Sequence, residues 1–167
     1  VAFVLAPVWR EKNLRKLVLA RFVSNFGNGL APIAISFGVL GLPGGDGRDL
    51  SLVMFAHMLP LVLFTLVGGV IGDRFPRAAL VGYTDILLGI IVAINAITLI
   101  TGNGSVAIFV ITNFIGGILN AIWYPAMSAL TSDLADPKIL QESNSAIGLS
   151  SNVAMIIGTS IGGILVA

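Results

Sequence analysis

The 167-residue chain is 56% hydrophobic and only 10% charged, with a net charge of +1 and no cysteine. A soluble domain carries about 25% charged residues, so a water-facing enzyme surface is excluded. Disulfides, thiolate metal sites and a nucleic-acid partner go with it. Long apolar runs make the lipid bilayer the solvent of this chain.

The opening "VAFVLAPVW" is apolar and precedes the first basic cluster, the reverse of a cleavable signal. A start at Val1 and an end at "GGILVA", still inside an apolar run, point to truncation. Five stretches reach the roughly 20 residues that a membrane helix needs. They are expected at about 17–40, 51–72, 79–101, 106–131 and 144–167. The connections are short and polar or glycine-rich: "GLPGGDGRD" (41–49), "DRFPRA" (73–78), "GNGS" (102–105) and "SDLADPKILQE" (132–142). The expectation is an all-α membrane protein, one incomplete amino-terminal half-domain over 1–167.

Basic residues collect on the cytoplasmic side of a membrane protein. Arg10, Lys12, Arg15, Lys16 and Arg21 come before or at the start of the first span, Arg74 and Arg77 between the second and third, and Lys138 between the fourth and fifth. Only Arg48 falls on the other side. The amino terminus is therefore expected in the cytoplasm.

Polar groups inside lipid are costly and face a bundle interior or a watery cavity. Arg21, Asn25 and Asn28 recur at helical spacing in the first span, and Asn113, Asn120 and Tyr124 in the fourth. Asn152 continues the pattern loosely in the fifth. These residues either line a substrate cavity or glue helices together. Gly158 and Gly162 form a small-xxx-small pair, which favours glue in the fifth span; Gly68 and Gly72 form another in the second. The third span is the most uniformly apolar, apart from Asp85 and Asn95, and is expected to face lipid. Asp85 is either a proton-linked acid or an interfacial group paired with a loop arginine. His57 is either a proton carrier or a structural hydrogen-bonding group.

The turn "GGVIGDRFPRAAL" (68–80) asks for separate treatment. Asp73 sits near the carboxyl end of a helix, where the dipole disfavours an acid. It needs a positive partner: Arg77, or the amino end of another helix. Asp133, at the same side of the fourth span, is placed to pair with Arg74 or Arg77. Such a cluster makes a cytoplasmic latch that holds two bundles and releases them. A plain positive-inside anchor accounts for the arginines but not for the acid or the glycines.

Gly69, Asp73, Arg74 and Arg77 match the signature G-x-x-x-D-R-x-G-R-R, and the chain here resembles the major facilitator superfamily between its second and third helices. Pro76 stands where that family usually has glycine, and Ala78 where a second basic residue is common. "LARFVSNFGNGLAPIAISFGVL" and the stretch from Ser128 to Ala167 are similar to the macrolide-efflux and enterobactin-exporter-like branch of drug antiporters. The family's fifth-helix motif G-P-x-x-G-G reads here as Gly158, Thr159, Ser160, Ile161, Gly162, Gly163, without the proline. Its fourth-helix motif R-x-x-x-G spans Asn113 to Gly117 with the arginine replaced, so the proton-coupling role of that arginine does not carry over.

The resemblance implies a twelve-helix fold of inverted three-helix repeats, of which this chain holds five helices. It implies a secondary active transporter, an exporter of drug-like or amphipathic small molecules, driven by an ion gradient in a bacterial plasma membrane. The expected partners are the lipid bilayer, a small-molecule substrate and a missing carboxyl-terminal half. No cofactor or metal is expected. The alternative is a non-transporting membrane sensor or assembly subunit on the same scaffold. An intramembrane enzyme is disfavoured, since no His/Asp/Glu cluster occurs at metal spacing.

Overall fold

The computed structural model describes Trp9 and residues 11–166. Arg10, the opening residues 1–8 and Ala167 lie outside the described residues. The helices run α1 Lys12–Leu40, α2 Gly47–Arg74, α3 Arg77–Ile100, α4 Val106–Leu134 and α5 Leu140–Val166. A single 3-10 turn, Pro137–Ile139, precedes α5. Among the described residues all five helices are long and apolar enough to cross a membrane. The shortest, α3, has 24 residues, about 36 Å at 1.5 Å per residue against a hydrocarbon core of about 30 Å.

Most of these helices extend a few residues past the apolar runs, and local chemistry sets where they stop. Lys12, Arg15 and Lys16 are straight-chain helix formers and join α1. At α2, Asp46 adopts an extended backbone and its carboxylate accepts from the Arg48 and Asp49 amides at 2.8 and 3.0 Å. That satisfies two of the amides a helix start leaves open. Asp136 does the same for the 3-10 turn, accepting from the Lys138 amide at 2.8 Å. Two turn glycines, Gly44 (φ 77°) and Gly102 (φ 69°), adopt the left-handed backbone that other residues avoid.

The chain divides into two compact units. In the first, residues 11–34 associate with 131–166. Leu14 and Val18 of α1 pack with Ala135 and with Ala146 of α5. Further along, Gly29 and Gly158 meet backbone to backbone. A Cβ on Gly29 would lie 3.2 Å from the Gly158 Cα, and one on Gly158 would collide with the Phe26 carbonyl. Gly162 lies against Leu30 and Ile33. The contacts advance in the same direction along both helices, so α1 and α5 run parallel.

The second unit comprises residues 35–130. Val39, Val53 and Phe109 form its core, with Leu50, Leu99 and Val110 against them. Here α2 and α4 run parallel. Gly117 faces the His57 carbonyl and the Pro60 ring, Gly68 faces the Ala121 carbonyl, and Gly72 faces Ala126. Lipid tails are as apolar as leucine, so close backbone packing is what holds such helices together. A buried side-chain bond adds to it: the Thr112 hydroxyl of α4 donates to the Asn95 side-chain oxygen of α3 at 2.8 Å. The opposite face of α3 turns Ile86, Ile90, Ile94 and Ile97 outward.

Candidate gate and cavity residues

The turn between α2 and α3 is built by Pro76. A residue before proline is pushed out of the helical region, and Phe75 is extended (φ −118°, ψ 155°). Proline fits the start of α3 because it lacks the amide that would go unpaired there. Pro76 thus makes a sharp stop where the family signature has glycine. Asp73 and Arg74 occupy the last turn of α2, and Arg77 opens α3. Arg77 Nη2 approaches Asp73 Oδ1 at 3.9 Å, with the Asp73 side chain 79% and the Arg77 side chain 32% exposed. At that distance and exposure the pair is worth roughly 0–1 kcal/mol. Arg77 therefore offsets the unfavourable helix-end position of Asp73 without sequestering its carboxylate.

The glycines of this turn divide sharply. Gly68 is buried against α4, and Gly72 makes ordinary contact there, a Cβ reaching 3.8 Å from the Ala126 amide nitrogen. Gly69 has nothing within 4 Å of a Cβ. Gly69 and Asp73 are four residues apart and share one face of α2. Asp133, the remaining acid of the predicted cluster, is exposed in the last turn of α4. It belongs to the first unit, whereas Arg74 and Arg77 belong to the second.

The cavity candidates are distributed over both units. In the first, Arg21 is 3% exposed. Asn25 is half-buried and donates to the Arg21 carbonyl at 2.8 Å and to the Ser151 hydroxyl of α5 at 3.1 Å. Asn28 is exposed, as is Asn152 on α5. In the second, half-buried Asn113 donates to its own helix at the Phe109 carbonyl, 2.9 Å away. Asn120 is half-buried. Tyr124 is exposed and meets Trp123 edge to face, with centroids 5.2 Å apart. His57 sits beside Gly116 and hydrogen-bonds the Asn113 backbone, linking α2 to α4. Asp85 is half-buried on α3, two turns past Arg77. On α5, Gly158 and Gly162 face α1, while Gly163 has open space beside it. No group of three or more potential metal ligands occurs among the described residues.

A family profile described as transmembrane secretion effector matches residues 2–167. The chain belongs to this family, a branch of the major facilitator superfamily of membrane transporters. Among its relatives, a protein named multidrug efflux pump Tap from Mycobacterium bovis (strain BCG / Pasteur 1173P2) is 32% identical over 158 residues, covering 90% of this chain and 37% of the pump. The Tap pump of Mycolicibacterium fortuitum is 29% identical over the same share of this chain. The MFS-type transporter YfiS of Bacillus subtilis (strain 168) is 24% identical over 162 residues, 96% of this chain and 38% of YfiS. This family member thus spans less than two fifths of the length of the relatives it matches. No solved structure matches it.

Several of the family member's helix-joining groups escape a search by sequence pattern. Ser151 and Ser150 stand among small residues of α5, yet one accepts from Asn25 and the other donates to the Val18 carbonyl at 3.4 Å. Thr112 stands next to Asn113 in an otherwise apolar run, and its role follows only from its meeting with Asn95. Asn95 itself carried a signal, as a lone amide in the most apolar helix. Gly29 carried none, because nothing in the sequence says which of α1's glycines α5 will touch.

Proposed function

We propose that the chain supplies the amino-terminal helices of a secondary active transporter. It exports drug-like or amphipathic small molecules from a bacterial cell by alternating access, driven by an ion gradient, protons foremost. The amino terminus is cytoplasmic, and the membrane is the plasma membrane. The observation that carries this reading is the 32% identity, over 90% of the chain, to a protein named as a multidrug efflux pump. Because the chain spans 37% of that pump, the opposing half of the transporter is the partner it needs.

In this reading the α2–α3 turn is one side of the cytoplasmic latch. Gly69 leaves room along the α2 face that carries Asp73, and the exposed carboxylate meets the positive end of a helix in the opposing half. Arg74 and Arg77 supply the turn's positive charge, and Asp133 is a further latch candidate at the end of α4. Arg21, Asn25, Asn28, Asn113, Asn120, Tyr124 and Asn152 offer hydrogen bonds to substrate, and Asp85 and His57 are the candidates for proton linkage. The loose Asp73–Arg77 pair suits a latch, since a tight pair would not exchange partners during rocking.

A second reading rests on Asn113. It stands where the resembling family places an arginine, which favours a non-transporting sensor or assembly subunit on the same scaffold. One experiment separates the two. The full-length parent protein is reconstituted in liposomes with an imposed proton gradient and an amphipathic fluorescent dye. The transporter reading predicts gradient-dependent dye movement that stops when an ionophore collapses the gradient. Dye movement no faster than in empty liposomes, from folded protein, would sink it and leave the sensor reading.

A further inference from the structure

The tripeptide Gly-Asn-Gly occurs twice, around Asn28 and around Asn103. An asparagine followed by glycine is open to attack by its own chain, because no side chain keeps the glycine amide nitrogen away from the asparagine Cγ. Both asparagines are exposed, and their immediate neighbours are the same. Their surroundings are opposite. Gly29 lies well inside α1, where its amide is part of the helix ladder. It is buried, with the Met155 carbonyl and Gly158 closed over it. Ring closure at Asn28 would require α1 to unwind and its seam with α5 to part. Asn103 and Gly104 lie in the turn between Ile100 and Val106, outside either helix. Gly102 donates to the Leu99 carbonyl at 3.1 Å, and among the described residues no protein group accepts from the Gly104 amide. The start of α4 is capped by Ser105, whose hydroxyl accepts from the Ile108 amide at 3.4 Å. The Asn103 side chain is thus not engaged as a cap, and a glycine on each side gives its backbone freedom to fold the amide onto Cγ.

We propose that Asn103 is a site of spontaneous deamidation and that the fold protects Asn28 from the same reaction. The Gly104 nitrogen gives its proton to a solvent base and bonds to the Asn103 Cγ. The bond from Cγ to the side-chain nitrogen breaks, ammonia leaves, and a succinimide ring remains. Water then adds to one of the two ring carbonyls and opens it to aspartate or isoaspartate. No oxidant, reductant or enzyme enters the balance. The product carries a carboxylate where a neutral amide stood, which cancels the chain's formal net charge of +1. That carboxylate joins Asp46 and Asp49, which stand at the start of α2 on the same side of the membrane as this turn. The isoaspartyl form also routes the main chain through one extra carbon. It does so next to Gly104, which is seated against Leu42, Leu99 and Phe109, and Phe109 belongs to the core of the second unit. The modification therefore changes both charge and packing at one end of the α3–α4 hairpin.

Asn28 is the internal control. The full-length parent, folded in liposomes, is aged in mildly alkaline buffer, which favours loss of the amide proton. Samples are digested, and the peptides carrying the two tripeptides are resolved by mass spectrometry into asparagine, aspartate and isoaspartate. Asn103 is expected to convert at least about tenfold faster than Asn28, since packed helices open far less often than turns. In denaturant the two are expected to convert within about twofold of each other, because their neighbours are the same and little structure remains. Gly104→Ala is expected to slow Asn103 several-fold by crowding the attacking nitrogen. A Cβ there meets Leu42 at 3.1 Å, at the end of a flexible side chain, so the turn tolerates it. Conversion of Asn103 no faster than Asn28 in the folded protein would overturn the site. So would acceleration of Asn103 by denaturant as large as that of Asn28, which would show the turn shielding it. A gap that persists in denaturant would overturn it too, by tracing the difference to sequence rather than fold.

Discussion

The α1–α5 contact and the α2–α4 contact solve one problem in two ways. In an inverted three-helix repeat the first and second helices correspond to the fourth and fifth, so the two pairs are counterparts. Between α1 and α5, glycine meets glycine, Gly29 against Gly158, and side-chain hydrogen bonds from Asn25 and Ser150 flank the crossing. Between α2 and α4, two glycines meet residues that carry side chains, while Gly72 makes ordinary contact with Ala126. Gly68 takes the Ala121 carbonyl, and Gly117 takes the His57 backbone and the Pro60 ring. The first sets glycine on glycine with polar stitches, and the second sets glycine against alanine and proline. With no hydrophobic force between helices in lipid, either form of close approach suffices. Both seams are tight, since the Met155 and Phe26 carbonyls close on Gly29 and Gly158 as the Ala121 and His57 carbonyls close on Gly68 and Gly117; the Pro60 ring is what the second seam adds.

Bulk at the seams is the strongest way to break the comparison. Gly68→Val is expected to cost about 3 kcal/mol, the upper end of overpacking penalties, because a Cβ there meets a carbonyl rather than a movable side chain. Gly158→Val is expected to cost a similar amount. Unfolding in mixed micelles checks both. If Gly68→Val proves as stable as the parent, α2 and α4 do not pack backbone to backbone at that point.

The polar stitches come next. Asn95→Ala removes the buried acceptor of Thr112 and is expected to cost about 1 kcal/mol, within the range of hydrogen bonds between membrane helices. Thr112 keeps its own helix carbonyls at Ile108 and Phe109 as alternative acceptors, which limits the loss. Asn25→Ala is expected to cost about 0.6 kcal/mol, since Asn25 is only partly buried. A larger loss from Asn25→Ala than from Asn95→Ala would reverse the order of the two stitches. Gly69→Ala and Gly163→Ala form the quiet end of the series. Both sites have open space, and stability is expected to change by no more than about 0.5 kcal/mol, with alanine's helix preference offsetting any loss.

Much of the fold was legible because a bilayer leaves few options: five apolar runs of spanning length must be helices. Their ends were less legible: Lys12 and Arg15 lie before the expected start at 17, yet they belong to α1 because their straight-chain stems favour helix. Gly158 and Gly68 announced close packing by their spacing, but their partners did not. Gly29, Ala121, Ser151 and Thr112 acquire meaning only from the opposite helix, and single-chain periodicity carries no information about partners. The Asp73–Arg77 pairing was readable from the four-residue interval across Pro76. The counterpart of the exposed Asp73 face was not.

The α2–α3 turn as a working latch is the central claim, and Asp73→Asn in the full-length parent tests it most directly. Dye transport and thermal stability are measured on the same preparation. The account predicts transport lowered at least tenfold with stability unchanged, because the carboxylate is exposed and its pair with Arg77 is weak, whereas Asp73→Glu retains part of the rate. Transport by Asp73→Asn at the parental rate would contradict it and reduce DRFPR to a positive-inside anchor.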